Sequence, residues 1–294
     1  FTSGGSEANI LGMYLLRKVT GKKYVIAPKT AHFSFVKAEN LGIIKLKFAE
    51  VDERLRVDPD SVESLIDNST AGIIGVAVNT DAGTIDPIEE LNELAHAYDL
   101  YVYVDAALGG LLLPFMKVLG REIPKFDFSL ERVAAIGVDP HKFGLVPPPA
   151  GMFLFRKNFS DNIAFDAPYY LGNRQYTIVS TRPAWPPVAF WAVIKALGRR
   201  GFVRLTEKCL RMTSYARKRI EEEGFEVPIE PETIIVNIKV DNPRKVAMEL
   251  KRKYRISVGI SKKLSSLRLV IMPHVNEKAI DRLLEALNKL LDKR

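Results

Sequence analysis

The chain has 294 residues, with 43 Lys and Arg against 35 Asp and Glu, a formal net charge of +8, and 47% hydrophobic residues. This composition is typical of a globular protein and excludes wholesale disorder, a collagen-like repeat and a disulfide scaffold. The single cysteine, Cys209, cannot form an internal disulfide, which favours a reducing compartment and therefore a cytoplasmic location.

The charge distribution does not favour a nucleic-acid-binding protein. Residues 1–200 hold 22 basic and 22 acidic groups, whereas residues 201–294 hold 21 and 13, so the excess positive charge lies in the last third of the chain. The basic runs there are short, and few aromatic side chains alternate with them as stacking platforms. We interpret these runs as solvated faces and expect no nucleic-acid partner.

Membrane insertion is not expected either. No apolar run approaches the roughly 20 residues that a membrane-spanning helix needs, and no signal peptide is visible. The chain opens on Phe1 rather than on a methionine. We therefore expect an N-terminal part of the protein to be missing from this sequence.

Strand-like and helix-like segments alternate over the first 155 residues. The strand candidates are short β-branched or aromatic runs: Tyr24–Pro28, Ile43–Lys47, Ile73–Val78, Tyr101–Asp105 and Val133–Gly137. The helix candidates lie between them: Ser6–Thr20, Phe33–Leu41, Asp60–Asp67 and Pro87–Tyr98. Before the last of these, Asp86, Pro87 and Glu89 have the spacing of an N-cap, N1 and N3. The alternation predicts βαβ units and a mostly parallel sheet with helices on both faces.

The last third of the chain has a different pattern. After a proline-rich zone we expect a helix from Val188 to about Gly201 and a second over Phe202–Glu223. Two strands and two amphipathic helices follow: Thr233–Val240, Leu267–Met272, Lys245–Tyr254 and Glu277–Leu291. The sequence therefore predicts an α/β protein with a large domain over residues 1–190 and a small C-terminal α+β domain over residues 191–294.

Polar residues gather where the predicted parallel strands end. His32 follows the first strand, Thr80 the third, and Asp105 closes the fourth. His141 and Lys142 follow the fifth strand, and a Gly-Gly-Ser segment opens the first helix. In open parallel sheets, ligands bind beyond the carboxyl ends of the strands. We therefore expect these groups to line one site.

The residue types meet the needs of pyridoxal phosphate. This cofactor requires a lysine, a carboxylate for its ring nitrogen, small residues at a helix N-terminus for its phosphate, and a flat group over its ring. Lys142, Asp105, the segment 4–6 and His32 supply these in turn. The histidines and the cysteine form no HxxxH or CxxC pattern, so we expect no metal site.

Three segments resemble the signature segments of the group II pyridoxal-phosphate decarboxylases: Thr2–Asn9 (TSGGSEAN), Val104–Gly110 (VDAALGG) and Asp139–Gly144 (DPHKFG). Within that family, the chain is most similar to the archaeal tyrosine/aspartate decarboxylases. Further similar segments extend to the C-terminus: Asp166–Tyr170, Ser180–Arg182 and Leu267–His274. The resemblance implies the fold of the fold-type I pyridoxal-phosphate enzymes.

The resemblance implies roles around the cofactor ring. Lys142 resembles the lysine that binds pyridoxal phosphate covalently, and Asp105 the carboxylate beside the ring nitrogen. Ala107 and His32 resemble the residues that pack on the two ring faces. Thr80 resembles the strand-end residue near the ring. On this basis Lys142, His32 and Asp105 are the expected catalytic residues.

The same resemblance implies contacts to the phosphate, the substrate and a partner subunit. Gly5, Ser6 and His141 resemble phosphate contacts, and Arg268 resembles the group that receives a substrate carboxylate. The family also implies a homodimer with active sites at the interface, where the segment 180–182 helps to complete the partner's site. Related chains have small residues after this segment, whereas this chain has Trp185.

The implied reaction is the α-decarboxylation of an L-amino acid. Aspartate, giving β-alanine for coenzyme A synthesis, is the first candidate, and tyrosine, giving tyramine for methanofuran synthesis, is the second. His32, Tyr169 and Tyr170 are the candidate donors of the proton that returns to the substrate. Two other classes stay open: another fold-type I enzyme, such as an aminotransferase or a cysteine desulfurase, and a non-enzymatic basic binding protein. Cys209 lies inside a predicted helix and is poorly suited to a desulfurase.

Overall fold

A computed structural model of the chain describes residues 1–169, 174–179 and 181–291. It divides the chain into two units. The first contains Phe1–Val78 and Ile85–Gly201, and the second contains Asn79–Thr84 and the chain from Phe202 onward. The short segment 79–84 thus groups with the C-terminal part of the chain, and the domain boundary at 190/191 stays a prediction.

A six-stranded sheet forms the centre of the first unit. Its strands are β1 (Tyr24–Pro28), β2 (Lys45–Ala49), β3 (Thr70–Val76), β4 (Val102–Asp105), β5 (Val133–Val138) and β6 (Met152–Phe155). Their order in the sheet is β2-β1-β3-β4-β5-β6. The first five run parallel, and β6 pairs with β5 in the antiparallel direction. The predicted mostly parallel α/β fold is confirmed.

Helices cover both faces of this sheet. Those of the first unit are α1 (Gly5–Thr20), α2 (Ser34–Asn40), α3 (Pro59–Ser64), α4 (Ile88–Ala97), α5 (Gly109–Val118) and α6 (Ser160–Ile163), the last preceded by a 3₁₀ turn (Lys157–Phe159). On one face, α1 lies so close to β4 that a Cβ at Gly12 would be 2.4 Å from the ring of Tyr103. On the other, a Cβ at Gly75 would be 3.0 Å from Ile88 of α4. Every residue of β3 is buried, as expected of a strand covered on both faces.

Asp86 does not cap α4, contrary to the prediction. The helix begins at Ile88 after Pro87, with no side-chain cap. Asp86 is instead fully buried, and its carboxylate accepts hydrogen bonds from the backbone N–H groups of Val57 (2.9 Å) and Val76 (2.8 Å). Burial raises the pKa of Asp86 to about 7, although both N–H donors favour the charged form. The side chain joins the end of β3 to the segment before α3 rather than starting a helix.

The long helix α7 (Trp185–Glu222) changes direction within its length. Gly198 has φ 53° and ψ −173°, outside the helical region, so the helical ladder is interrupted there. The predicted boundary at Gly201 was therefore three residues late. A short two-stranded ribbon, β7 (Phe165–Asp166) and β8 (Arg174–Gln175), precedes this helix.

The second unit is built on a three-stranded antiparallel sheet. Its strands are β9 (Ile235–Lys239), β10 (Gly259–Ser261) and β11 (Ser266–Val270), in the order β10-β11-β9. Its helices after α7 are α8 (Pro243–Glu249), which continues as a π turn (Leu250–Tyr254), and α9 (Glu277–Leu290). Among the described residues, no helix is long and apolar enough to cross a membrane.

The segment 79–84 is bonded to this second sheet. The Thr233 hydroxyl donates to the carbonyl oxygen of Gly83 (2.8 Å), and Asn237 Nδ2 donates to that of Asp81 (3.1 Å). A Cβ at Gly83, where φ is +77°, would lie 2.7 Å from Ile235. Only glycine meets both the backbone conformation and the close approach at this position.

Candidate active site

Asp105 is the last residue of β4 and has both carboxylate oxygens hydrogen-bonded. Asn9 Nδ2 donates to Oδ2 at 2.8 Å, and the backbone N–H of Ala107 donates to Oδ1 at 3.1 Å. The side chain is almost completely buried at the carboxyl edge of the sheet. Because both contacts are donors, they suit an acceptor-only, ionised carboxylate.

Asn9 is the centre of a buried hydrogen-bond network. Besides Asp105, its Nδ2 donates to Ser34 Oγ at 2.9 Å, and its Oδ1 accepts from the Tyr103 hydroxyl at 2.8 Å. The Ser34 hydroxyl in turn lies 2.9 Å from His32 Nδ1. Asn9, Ser34 and Tyr103 are 0–1% exposed. The network therefore connects the carboxylate at the end of β4 with the histidine between β1 and α2.

The surroundings of His32 favour the neutral imidazole. Burial, the largest cause, lowers the pKa of His32, and the positive charge of Lys142 lowers it further, whereas the charge of Asp105 raises it. The ring of Phe33 packs against the imidazole with 4.3 Å between ring centres. His32 and Lys142 are thus close enough to influence each other electrostatically.

Lys142 lies beside a buried carboxylate that the sequence analysis did not assign to the site. Its Nζ is 3.3 Å from Asp139 Oδ2, and His141 Nε2 is 3.4 Å from the same oxygen. Burial raises the pKa of Asp139, against the opposing charges of Lys142 and His141. Within the described part of the chain, Asp139 Oδ1 is buried and has no hydrogen-bond partner.

Two glycines precede and begin α1, and both lie against the loop that follows β5. A Cβ at Gly4 would lie 3.0 Å from the ring of His141, and one at Gly5 would lie 2.8 Å from Asp139 Oδ2. The first N–H groups of a helix have no partner within the helix, so they are able to bind an anion. Ser6 lies in the same first turn. Small residues at the helix start therefore let the loop after β5 approach closely.

Two predicted site residues, Thr80 and Arg268, belong to the second unit. Arg268 lies on β11 and donates through Nη1 to the carbonyl oxygen of Thr80 at 2.7 Å. This contact holds the guanidinium group against the segment 79–84.

Most of the predicted site residues lie together in the first unit: Gly5, His32, Asp105, Ala107, His141 and Lys142, with Ser6 beside Gly5. Their separate roles stay predictions. Tyr169, a candidate proton donor, is 94% exposed. The other candidate, Tyr170, and Ser180 of the predicted partner-site segment lie outside the described residues.

Sequence reasoning did not identify Asn9, Ser34, Tyr103 and Asp139. One signal for Asn9 was present, because it falls four residues after Gly5 and three before Gly12, on the otherwise apolar face of α1. A polar residue on a buried helix face requires a hydrogen-bond partner. Asp139 entered the sequence analysis only as the first residue of the segment Asp139–Gly144, with no role assigned to it.

The residues present fit pyridoxal phosphate. Gly4 and Gly5 precede and begin α1, whose first N–H groups have no partner within the helix, Asp105 is a buried carboxylate, and Lys142 provides an amine at the same edge of the sheet. By contrast, the described residues contain no group of three or more His, Cys, Asp or Glu side chains placed to hold a metal ion.

Comparison with known proteins gives the same family. The pyridoxal-dependent decarboxylase conserved domain matches residues 12–240. Curated relatives include the probable L-tyrosine/L-aspartate decarboxylase of Methanothermobacter thermautotrophicus, 39% identical over 97% of this chain and 80% of that protein. Another is the L-aspartate/L-glutamate decarboxylase of Pyrococcus horikoshii, 40% identical over 98% of this chain and 76% of that protein.

Solved structures with the same fold include a sphingosine-1-phosphate lyase of Burkholderia pseudomallei, with a TM-score of 0.88 and 25% identity over 98% of this chain and 69% of that one. The glutamate decarboxylase of Lactobacillus brevis has a TM-score of 0.84 and 20% identity over 99% of this chain and 74% of that one. The resemblance seen in the sequence is confirmed, and the aminotransferase and basic-binding-protein alternatives lose their support. The chain belongs to the pyridoxal-dependent decarboxylase family and is a pyridoxal-phosphate-dependent amino-acid decarboxylase.

Proposed function

We propose that this enzyme removes the α-carboxyl group of L-aspartate and releases β-alanine, which would serve coenzyme A synthesis. The observation that carries the proposal is that aspartate occurs in the name of both relatives given above, at 39–40% identity over 97–98% of the chain. The L-aspartate decarboxylase of Thermococcus kodakarensis, 39% identical over 98% of the chain, has aspartate as the only named substrate.

The residues of the first unit would divide the chemistry between them. When bound, pyridoxal phosphate withdraws electrons from the bond to the departing carboxyl group. Lys142 would hold the cofactor covalently, and Asp105 would keep a proton on the ring nitrogen by supplying a fixed negative charge. The N–H groups at the start of α1, at Gly5 and Ser6, would bind the phosphate together with His141. His32 and Ala107 would pack on the two ring faces.

Arg268 is the proposed receiver of a substrate carboxylate. Its Nη1 donates to the carbonyl oxygen of Thr80, which restricts the movement of the guanidinium group. A fixed guanidinium presents its remaining N–H groups as a fork that matches a carboxylate. Aspartate has a second carboxylate where tyrosine has a phenol, and Arg268 is proposed to receive this side-chain carboxylate.

An amine-product assay tests the proposal. The protein, loaded with pyridoxal phosphate, is incubated with aspartate, glutamate and tyrosine separately, and the amine and CO₂ formed are quantified. We expect β-alanine as the main product. Lys142→Ala is the control for cofactor attachment, because borohydride should fix the cofactor to the parent protein and not to this variant. If none of the three amino acids releases CO₂, the proposed substrate is wrong.

Tyrosine is the second candidate, since the Methanothermobacter relative is named for tyrosine as well as aspartate. Arg268→Lys separates the two substrates. It keeps the charge and loses the fork, so turnover of aspartate should fall at least tenfold while turnover of tyrosine changes little. If the parent protein forms mainly tyramine, its substrate is tyrosine and not aspartate.

A cytoplasmic homodimer is also part of the proposal. At the start of α7, four large apolar side chains follow each other at three-residue spacing on the surface: Trp185, Val188, Trp191 and Ile194. Val188 and Trp191 are each 62% exposed, and a row of this kind suits a self-association surface. Trp191→Glu should convert a dimer to a monomer in light scattering, whereas a monomeric parent protein would contradict the dimer.

A further inference from the structure

We infer that Asn9 and Ser34 are positioning residues that hold His32 as a neutral imidazole with its proton on Nε2. Between Asp105 and His32, each buried polar atom of the network acts as a hydrogen-bond donor or as an acceptor, and these roles leave one position for the imidazole proton.

The direction of each hydrogen bond is fixed from the Asp105 end. An ionised carboxylate only accepts, so Asn9 must turn its amide nitrogen toward Asp105 Oδ2, at 2.8 Å. The amide oxygen then faces the Tyr103 hydroxyl, which donates to it at 2.8 Å. The second hydrogen of Asn9 Nδ2 points to Ser34 Oγ, at 2.9 Å. The serine oxygen is therefore an acceptor toward Asn9.

His32 Nδ1 accepts two hydrogen bonds from Ser34, one from the side chain and one from the backbone. Since Ser34 Oγ accepts from Asn9, its own hydrogen is available for Nδ1, which is 2.9 Å away. Independently, the backbone N–H of Ser34 points at the same nitrogen, at 3.3 Å. A nitrogen that accepts two hydrogen bonds cannot also carry a proton directed at the same donors. The imidazole proton therefore resides on Nε2.

The charges around His32 do not reverse this assignment. Asp105 and Asp139 raise the pKa of the imidazole, whereas Lys142 and Lys37 lower it, and burial, which favours the neutral form, is the largest contribution. These groups lie on β4, after β5 and on α2, so they come from several of the elements around the ring. The electrostatic surroundings and the hydrogen-bond count agree on a neutral ring.

The consequence for catalysis rests on the proposed function, whereas the tautomer itself does not. A neutral imidazole with its proton on Nε2 donates a hydrogen bond there but gives up that last proton far less readily than an imidazolium does. His32 would then orient a group in the site by donation, and the proton that returns to the substrate would come from another residue.

Histidine-selective ¹⁵N labelling tests the tautomer without cofactor or substrate. The chain has four histidines, and the His32 signals are identified by their loss in His32→Asn. We expect the parent protein to show the Nε2–H tautomer of His32 alone, with protonation only at a pH below the ordinary value near 6.5. An Nδ1–H tautomer or an imidazolium at pH 7 would overturn the inference, whichever amino acid is decarboxylated.

Two variants test the positioning roles. Ser34→Ala should give a mixture of tautomers and move the protonation of His32 to higher pH, whereas Ser34→Thr, which keeps the hydroxyl, should retain the parent pattern. Asn9→Ala should also give a mixture, because Ser34 Oγ then becomes able to accept from Nδ1–H. Ser214→Ala, whose hydroxyl bonds the Leu210 carbonyl in the second unit, is the matched control. Unchanged spectra in Ser34→Ala and Asn9→Ala, with the other three histidines in place, would refute the assigned roles.

Discussion

The hydroxyl of Tyr103 lies in a space that exists because residue 137 is a glycine. A Cβ added at Gly137 would lie 2.3 Å from Tyr103 Oη, but 3.3 Å from both Ala8 Cβ and Asn9 Oδ1. Only the first distance is impossible for a real side chain, and the other two are tight. Gly137→Ala should therefore displace the tyrosine hydroxyl from Asn9 and leave the rest of the packing nearly intact.

The structure gives the size of this effect. Inserting a methyl group into a packed core costs about 1–3 kcal/mol, and leaving the buried Asn9 Oδ1 without a donor costs about 1–3 kcal/mol more. Tyr103→Phe alone should cost only the second amount, since the ring is retained. In the double variant the methyl meets no hydroxyl, so Gly137→Ala should add little to Tyr103→Phe. The coupling energy should therefore equal the sum of the two amounts, about 2–6 kcal/mol, which is at or above the upper end of the range for residues in direct contact.

Urea unfolding followed by tryptophan fluorescence measures these free energies. Both tryptophans of the chain, Trp185 and Trp191, lie in the first unit, so the signal reports on the unit that contains the substitutions. Gly75→Ala is the matched control, because its Cβ would meet Ile88 at 3.0 Å on the other face of the sheet. The change in unfolding free energy caused by Gly75→Ala should simply add to the change caused by Tyr103→Phe, with no coupling energy. Equal costs of Gly137→Ala in the tyrosine and phenylalanine backgrounds would refute the reasoning.

Three further predictions follow from single side chains. Asp105→Asn should still bind pyridoxal phosphate, detected by its visible absorption, but lose decarboxylation by orders of magnitude because the fixed negative charge is gone; near-normal turnover would contradict its role. Asp86 has a folded-state pKa of about 7 against an ordinary value of 3.8, so the native state holds the proton more tightly, and stability relative to Asp86→Asn should fall as pH rises from about 4 to 7. A flat profile over that range in urea titrations would contradict the raised pKa, because a carboxyl that is already ionised in the native state adds no pH dependence there. Burial raises the pKa of the Cys209 thiol to about 11, so native protein at pH 8 should resist a thiol reagent that labels it fully in urea; rapid native labelling would contradict its burial.

The large features of the fold could be predicted because they depend on local pattern. The apolar run at β3 and the periodicity of α1 each determine one element, and the order of elements determines the parallel sheet. Site residues at strand ends, such as Asp105 and Lys142, could be found for the same reason. Their position in the chain already places them at the edge where ligands bind.

The features that sequence reasoning missed depend on residues far apart in the chain. Asp86 has the spacing of a helix cap, but the N–H groups of Val57 and Val76 hold its carboxylate in the folded protein. Asn9 and Tyr103 are 94 residues apart, and no local pattern pairs them. In both cases a buried polar group is satisfied by tertiary contacts, which outweigh the local preference that the sequence displays.

The attachment of segment 79–84 to the second sheet has a consequence for the order of events during synthesis. The hydrogen bonds from Thr233 to Gly83 and from Asn237 to Asp81 join residues 150 and 156 positions apart. A ribosome therefore releases this segment long before its partners exist, at a synthesis rate of about 5–20 residues per second. At that rate roughly 8–30 seconds pass between the synthesis of Gly83 and that of Thr233, and during this time the segment has only the hydrogen bonds of its own turn. A nascent chain that stops before residue 233 offers it neither of these two hydrogen bonds.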